Sequence, residues 1–271
     1  MKDISHKVII ITGASSGIGR ACALAFAKRK CKIVLAARHE DKLKEVEELI
    51  KPYNSNVLSI VADVSKEEDC KRLVQESFNK YHRIDVLINN AGISMRAIFD
   101  GVDLKVLRQV MDTNFWGAVY CTKYALPYLH KTCGSIVGIS SIAGKKGLPG
   151  RVGYCASKFA LEGFLETVRI ENMRKGLHVF TVCPGFTASN IRNTALVKDG
   201  SIQKESPRDE AKMMQPEEVA AAIVNGVIKR KRDIILTLQG RLTIFLNKFF
   251  PGWVDLLVYN HMRKEPDSPL K

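Results

Sequence analysis

No run of about 18 apolar residues occurs in the chain, so no helix is expected to cross a membrane. There is no Cys-x-x-Cys pair either. The seven cysteines, Cys22, Cys31, Cys70, Cys121, Cys133, Cys155 and Cys183, stand singly, with no histidine pattern beside them. An odd, dispersed set excludes a disulfide frame and a zinc site. Each reads as a reduced thiol filling a core position in a cytoplasmic protein, and no metal is expected. Linkers, internal repeats and low-complexity segments are missing as well, so residues 1–271 are expected to form a single domain. At the N-terminus the stretch Val8–Ile11 is too short for the apolar region of a signal peptide, and no anchor segment is expected ahead of it.

The chain has 46% apolar residues, enough for a sizeable core, and its 26% charged residues do not suggest disorder. The formal net charge is +14. Residues 229–271 alone hold nine Lys/Arg against four Asp/Glu, so +5 of the excess lies there. Such an excess suits an anionic cofactor, an anionic membrane surface or an acidic protein, although most of it reads as solvated surface. No nucleic-acid motif is present, and nucleic acid is not an expected partner.

Apolar runs of strand length alternate with amphipathic runs of helical length. The strands are expected at Lys7–Thr12, Lys32–Ala37, Val57–Ala62, Ile84–Asn89, Gly134–Ser140, Leu177–Cys183 and Asp233–Leu238. Each is continuously apolar, as a sheet buried on both faces requires. Helices are expected at Glu40–Ile50 and Lys66–Lys80, the second opened by a capping box between Ser65 and Glu68. Repeated strand–helix–strand units predict an α/β fold, a doubly wound parallel sheet of about seven strands. Two regions break the rhythm. Residues 187–214 are polar and punctuated by Pro207, and are expected to form a substrate lid. Residues 239–263 carry Leu242, Phe245, Phe249, Phe250, Trp253, Leu256 and Tyr259 among Arg241, Lys248 and Asp255. They read either as an amphipathic helical extension lying in a membrane interface or as helices packed on the body or a second subunit.

Thr12-Gly13-Ala14-Ser15-Ser16-Gly17-Ile18-Gly19 follows the first strand and opens the first helix. Glycines there allow a tight turn and close approach of backbone to a pyrophosphate at the helix N-terminus. The second strand ends in Ala37-Arg38, where a carboxylate would hydrogen-bond the 2′-hydroxyl of NAD. With no carboxylate at the turn, Arg38 suits a 2′-phosphate, and the expected cofactor is NADP(H). Tyr154-Cys155-Ala156-Ser157-Lys158 places a phenol and an ammonium on one helix face. A lysine cation nearby is expected to favour the phenolate, which fits Tyr154 as an acid/base partner in hydride transfer.

Other residues accompany these in order. Ser140 and Ser141 end the fifth strand, Asn89-Asn90-Ala91-Gly92 ends the fourth, Asn114 lies inside a helix, and Pro184-Gly185 follows the sixth strand. Together the motifs resemble the short-chain dehydrogenase/reductase family, with its Rossmann fold, over roughly Lys7–Leu238. With the extension, the pattern looks like the lipid-handling branch that includes 11-beta-hydroxysteroid dehydrogenase. The resemblance implies that Ser141 holds the substrate oxygen and Tyr154 is the acid/base. Lys158 would hold the nicotinamide ribose, and Asn114 a water in a proton relay. It also implies that Asp63 and Val64 meet the adenine, and that Asn90, Ala91 and Gly92 wall its ribose. Ser140 competes with Ser141, but the thirteen-residue offset to Tyr154 favours Ser141. Where the family has an aliphatic residue and then Thr after Pro-Gly, this chain has Thr187 and Ser189, so Thr187 is the expected hydroxyl near the carboxamide.

The pocket is expected to be lined by Ile93, Ile142, Leu148, Val152 and Phe186 and to take a lipophilic carbonyl or alcohol. The resemblance further implies a homodimer or homotetramer and a cytoplasmic, peripherally membrane-associated location. Two alternatives stay open. One is a 3-oxoacyl-thioester reductase whose basic surface docks an acyl carrier protein. The other is a non-catalytic NADP-binding sensor, against which the intact Asn114, Ser141, Tyr154 and Lys158 speak.

Overall fold

A computed structural model describes residues 3–53, 56–203 and 213–271. Its seven strands are β1 (Val8–Thr12), β2 (Lys32–Ala37), β3 (Val57–Val61), β4 (Val86–Asn89), β5 (Ser135–Ile139), β6 (His178–Cys183) and β7 (Asp233–Ile235). All neighbours pair in parallel, in the order β3-β2-β1-β4-β5-β6-β7. The order reverses between β1 and β4, so the carboxyl ends of these two strands diverge into a crevice.

Alternate strand residues feed two cores. Ile9, Ile11, Ile33 and Leu35 pack under α1 (Gly17–Ala27), α2 (Glu40–Ile50) and α7 (Pro216–Lys229). Val8, Ile10, Val34 and Ala36 pack under α3 (Glu67–Tyr81), α5 (Gly117–Thr132) and α6 (Val152–Asn172). Every β1 residue is buried, which is why its sequence is apolar throughout. The cysteines follow the same logic: all seven are free thiols, and all but Cys133 are buried.

Local details depart from expectation where side chains compete for the backbone. Ser65 does not cap α3. Its N–H and hydroxyl both donate to Asp63 Oδ1 (3.1 and 2.8 Å), and Asp69 Oδ2 instead accepts from the N–H of Asp63 at 2.9 Å. Two carboxylates outcompete the hydroxyl as acceptors. The last strand stops at Ile235 because Thr237 turns the chain, its hydroxyl accepting from Gly240 N–H at 3.1 Å. From there α8 (Leu238–Phe249) and α9 (Pro251–Arg263) form the expected extension, separated at Phe250 with Pro251 in the first helical position. No helix among the described residues is long and apolar enough to cross a membrane.

At the opposite end of the sheet from the crevice, Asp85 ties the fold together. Its carboxylate is fully buried, accepts from Val8 N–H at 3.0 Å, and pairs with Arg83 (2.6 Å) and Lys7 (3.2 Å). Burial pushes its pKa up, but Arg83, the Val8 N–H and Lys7 together hold it below the usual carboxylate value. Asp85→Asn is therefore expected to cost about 2 kcal/mol of stability at neutral pH. A carboxyl with a depressed folded-state pKa contributes above the unfolded-state value, and loses that contribution as pH falls through the folded one. Urea unfolding of the two proteins should thus converge toward acid, and a gap that persists to about pH 2 would show that the charge is not what stabilises this site.

Candidate active site

Thr12, the last residue of β1, uses all its hydroxyl capacity. Its Oγ1 donates to Ile88 O (3.2 Å) and accepts from the N–H groups of Asn90 (3.0 Å) and Ala91 (3.1 Å). The Asn90 amide returns the bond, donating to Thr12 O (2.8 Å) and Gly13 O (3.1 Å). This clasp binds the turn after β1 to the loop after β4. It leaves no room for side chains: a Cβ at Gly19 would stand 2.2 Å from Gly13 O, and Gly13 itself has φ +64°. Ser16 caps α1 in extended conformation without spending its hydroxyl on a helix N–H. The first amides of α1 and that hydroxyl are thus available to an anion.

A cleft of about 520 Å³ runs along the carboxyl ends of the strands. Its nucleotide end is lined by Gly13, Ser15, Ser16, Gly17, Ile18, Arg38, Asp63, Val64, Asn90, Ala91 and Gly92. Pro184, Gly185 and Thr187 line it further along, with Tyr154 and Lys158. Arg38 is exposed, and no carboxylate among the described residues pairs with it. The arrangement fits a nicotinamide dinucleotide: glycines where backbone must approach closely, a helix N-terminus open to the cleft, and a guanidinium beyond β2.

The other end gathers the remaining expected residues. Chain α4 (Leu104–Met111) passes into α5 through a π-helical turn, Asp112–Trp116, which contains Asn114. A wider turn displaces one residue from the helical register and is common at functional sites. Here it buries Asn114, whose Oδ1 accepts from Ile93 N–H (2.8 Å) while Nδ2 donates to Ile93 O (2.9 Å) and Ser157 Oγ (2.9 Å). Asn114 thereby joins the loop after β4 to α6. A side chain at Gly92 would stand 3.2 Å from Asn114 Oδ1 and 3.5 Å from Lys158 Nζ, so the two groups meet across this glycine.

Lys158 is buried, and its Nζ donates to Ile139 O at 2.9 Å and lies 5.6 Å from the centre of the Tyr154 ring. Burial pushes its pKa down to about 8, although Cys183 and Glu162 oppose the shift. Burial likewise pushes the Tyr154 phenol above its ordinary value, against a hydrogen bond from Ser141 that favours the phenolate. The sequence suggested a lysine field strong enough to lower the phenol. In the folded chain desolvation is the larger effect on both groups.

Of the two serines, Ser141 meets the phenol, and its Oγ also accepts from Ala143 N–H at 3.2 Å. Ser140 Oγ is packed away, 2.5 Å from where a Cβ on Gly144 would lie. The substrate end is lined by Ile93 and Phe186 as expected, together with Ser94, Arg151, Ile191, Arg192, Leu196 and Ile202. Ile142, Leu148 and Val152 are not in this wall. Ile142 packs instead on the backbone of α8, where a Cβ on Gly240 would stand 2.3 Å from its Cδ1, and Val152 is exposed. Of the stretch expected to form a lid, residues 187–203 contribute Ile191, Arg192, Leu196 and Ile202 to the cleft lining, and Leu196 exchanges backbone bonds with Ser94 and Arg96 in the loop after β4 (2.9 and 2.8 Å). Residues 204–212, with Pro207, lie outside the described residues. Thr187 and Ser189 both line the cleft, with hydroxyls on the carbonyls of Gly185 (3.2 Å) and Thr187 (3.4 Å).

Sequence reasoning missed Thr12, Ser157 and Arg151. Thr12 and Ser157 lay inside the quoted motifs, but a hydroxyl that links two loops has no signal in spacing. Arg151, three residues before Tyr154, belongs to no motif, and only the fold brings it into the cleft wall.

The short chain dehydrogenase family model matches residues 7–199. An "11-beta-hydroxysteroid dehydrogenase" of Pinus massoniana is 38% identical over 272 residues, covering 96% of this chain and 76% of its own length. "11-beta-hydroxysteroid dehydrogenase 1A" of Arabidopsis thaliana is 40% identical over 243 residues, covering 86% and 69%. Among solved structures, the alcohol dehydrogenase of the archaeon Thermococcus sibiricus, complexed with 5-hydroxy-NADP, aligns with a TM-score of 0.72 at 25% identity, covering 86% of this chain and 95% of that one. With the cleft at the strand-order reversal, the glycine turn after β1 and the Ser141–Tyr154–Lys158 cluster beside it, these likenesses make the chain an oxidoreductase of the short-chain dehydrogenase/reductase family.

Proposed function

We propose that the chain is an NADP(H)-dependent oxidoreductase of a lipophilic carbonyl or alcohol. The observation that carries this reading is the single cleft joining Arg38, the glycine turn and Tyr154. The dinucleotide supplies or accepts the hydride at its nicotinamide ring. Gly13, Gly17 and Gly19 let the backbone approach the pyrophosphate, Ser15, Ser16 and Ile18 complete that turn, and Arg38 takes the 2′-phosphate. Asp63 and Val64 border the adenine, and Asn90, Ala91 and Gly92 its ribose. Pro184, Gly185 and Thr187 close on the carboxamide side, while Lys158 holds the nicotinamide ribose.

In reduction, Tyr154 Oη gives its proton to the carbonyl oxygen as hydride reaches the carbon, leaving a phenolate and an alcohol. Ser141 holds that oxygen, and Asn114 and Lys158, meeting across Gly92, pass a replacement proton inward through water. The elevated phenol keeps its proton at neutral pH, which suits the reductive direction. The 5-hydroxy-NADP complex of the Thermococcus sibiricus alcohol dehydrogenase supports the choice of NADP.

The lipophilic substrate is supported by Ile93, Phe186, Ile191, Leu196 and Ile202 around the far end, with Phe186 and Ile202 exposed at its mouth. It is also supported by α8 and α9. Leu238, Leu242, Phe245 and Phe249 form one stripe on α8, and Trp253, Leu256 and Leu257 another on α9, and all seven are exposed. Exposed Arg241, Lys248, Arg263 and Lys264 accompany them. An apolar stripe with aromatic and cationic flanks suits docking on an anionic lipid surface, from which a lipophilic substrate would be drawn. A homodimer or homotetramer through the helices carrying Asn114 and Tyr154 belongs to the same reading. The rival reading, an acyl-carrier thioester reductase, finds no additional support in the cleft.

Four measurements test it. Titration should show NADPH preferred to NADH, and Arg38→Asp should weaken NADPH binding roughly 10–100-fold while sparing NADH. Equal affinity of both cofactors in the parent protein would defeat the NADP assignment. Tyr154→Phe should lower ketone reduction by about 10²–10⁴-fold. In the parent, reduction should hold below pH 8 and fall as pH rises through about 8, where Lys158 loses its charge before the phenol does. An activity that climbs through that range would contradict this order of ionisation. Finally, the chain should sediment with phosphatidylserine-containing vesicles more than with pure phosphatidylcholine, and Phe245→Ser with Trp253→Ser should abolish this. Failure to sediment with either would leave the stripe to a protein partner.

A further inference from the structure

Residues 264–271 follow α9 and fold back on the site. Ser268, itself buried, donates from its hydroxyl to Met262 O at 2.9 Å, and Pro269 packs 3.1 Å from where a Cβ on Gly150 would lie. Within this turn Glu265 is only 5% exposed, although its neighbours Lys264 and Pro266 face solvent. Its Oε2 lies 3.5 Å from Arg151 Nη2 and 3.7 Å from Arg96 Nη2, and both guanidinium groups are themselves nearly buried. Arg96 also donates to Pro266 O at 2.5 Å, and Arg151 to Met95 O at 3.3 Å. A carboxylate is thus clamped between two arginines from different elements: Arg96 in the loop after β4, and Arg151 immediately before α6.

A buried Arg–Glu–Arg set is a poor stabiliser, because desolvating three charges offsets most of their attraction. What it does well is fix geometry. Arg151 lines the cleft, precedes Tyr154 by three residues, and sits at the helix N-terminus, where a lone cation is disfavoured. Glu265 offsets that cation and holds it against Met95 and Ala97, whose N–H donates to Gly150 O at 3.0 Å. The same extension grips the other flank of the site. Lys146, in the loop after β5, donates to Asn247 Oδ1 on α8 at 2.6 Å and pairs with Asp255 on α9.

We propose that Glu265 is a positioning residue of the active site, acting through Arg151 to place the wall of the substrate end and to set the electrostatic surroundings of Tyr154. This rests on the acid/base reading of Tyr154 given above. The groups facing the phenol are Ser141, Cys155, Arg151, Cys183 and Lys158. Of these, Arg151 alone has its charge balanced by residues 264–271. The Arg151 field favours the phenolate, and the Glu265 carboxylate, 3.5 Å from that guanidinium, offsets it. Losing Glu265 therefore moves the phenol's ionisation down, and losing Arg96 strengthens Glu265's hold on Arg151 and moves it up.

The test is the pH profile of alcohol oxidation, which needs the phenolate, measured on Glu265→Gln and Arg96→Gln alongside KM and NADPH affinity. Glu265→Gln should shift the rising limb about half a pH unit or more to lower pH and raise substrate KM about 3–10-fold, with NADPH binding unchanged. Arg96→Gln should shift the limb the opposite way. If Glu265→Gln does not fold, the direction of the Arg96→Gln shift decides alone. A merely structural role would lower thermal stability and leave both limbs on the parent curve, which overturns the proposal. Parent-like activity of Tyr154→Phe would instead overturn the acid/base reading, so the two failures are distinguishable.

Discussion

The bond pattern around Thr12 and Asn90 is the constraint on which the site depends. A doubly wound sheet parts its loops where the strand order reverses, and nothing in the parallel ladder itself joins the turn after β1 to the loop after β4. One hydroxyl and one amide do so, with five hydrogen bonds between them. The clasp fixes the glycine turn for a pyrophosphate and starts the loop that Asn114 then receives at Ile93. Asn114 extends the connection to Ser157 on the helix that carries Tyr154 and Lys158. Two asparagines, Asn114 buried and Asn90 half-buried, thus transmit the geometry of the nucleotide end to the proton-transfer end. Both spend their amide hydrogens on protein acceptors.

Desolvation governs the chemistry at that far end. Tyr154 and Lys158 are pushed toward their neutral forms, the phenol upward and the ammonium down to about 8. Burial thus separates two pKa values that are nearly equal in free side chains, so Lys158 gives up its proton well before Tyr154 does. The same burial would be unaffordable without partners. Lys158 has Ile139 O, and Tyr154 has Ser141.

The two helices that follow the sheet have a double character. Their outer stripes expose seven large apolar side chains, yet their inner side reaches Ile142 beside Ser141 and Lys146 in the loop after β5, and the segment that follows them reaches Arg151 before α6 through Glu265. Gly240 is needed for the first of these, since any side chain there would strike Ile142. The extension is therefore built into the site and is not an appendage to it.

The amino-acid sequence by itself determined the fold class, the seven strands, the glycine turn, the Arg38 position and the Tyr154–Lys158 pair. These are written in local pattern: apolar runs for a sheet covered on both faces, glycines where backbone needs positive φ, and i,i+4 spacing on a helix. It also separated Ser141 from Ser140, although only by offset. The tertiary structure decided what depends on contacts distant in the chain. Thr12 meets Asn90 across 78 positions, and Arg96 reaches Pro266 across 170. Neither spacing leaves a local trace. The π-helical turn at Asn114 and the burial that outweighs the lysine field on Tyr154 also belong to the folded chain. Desolvation is a property of everything packed around a group, and a linear sequence places nothing around it.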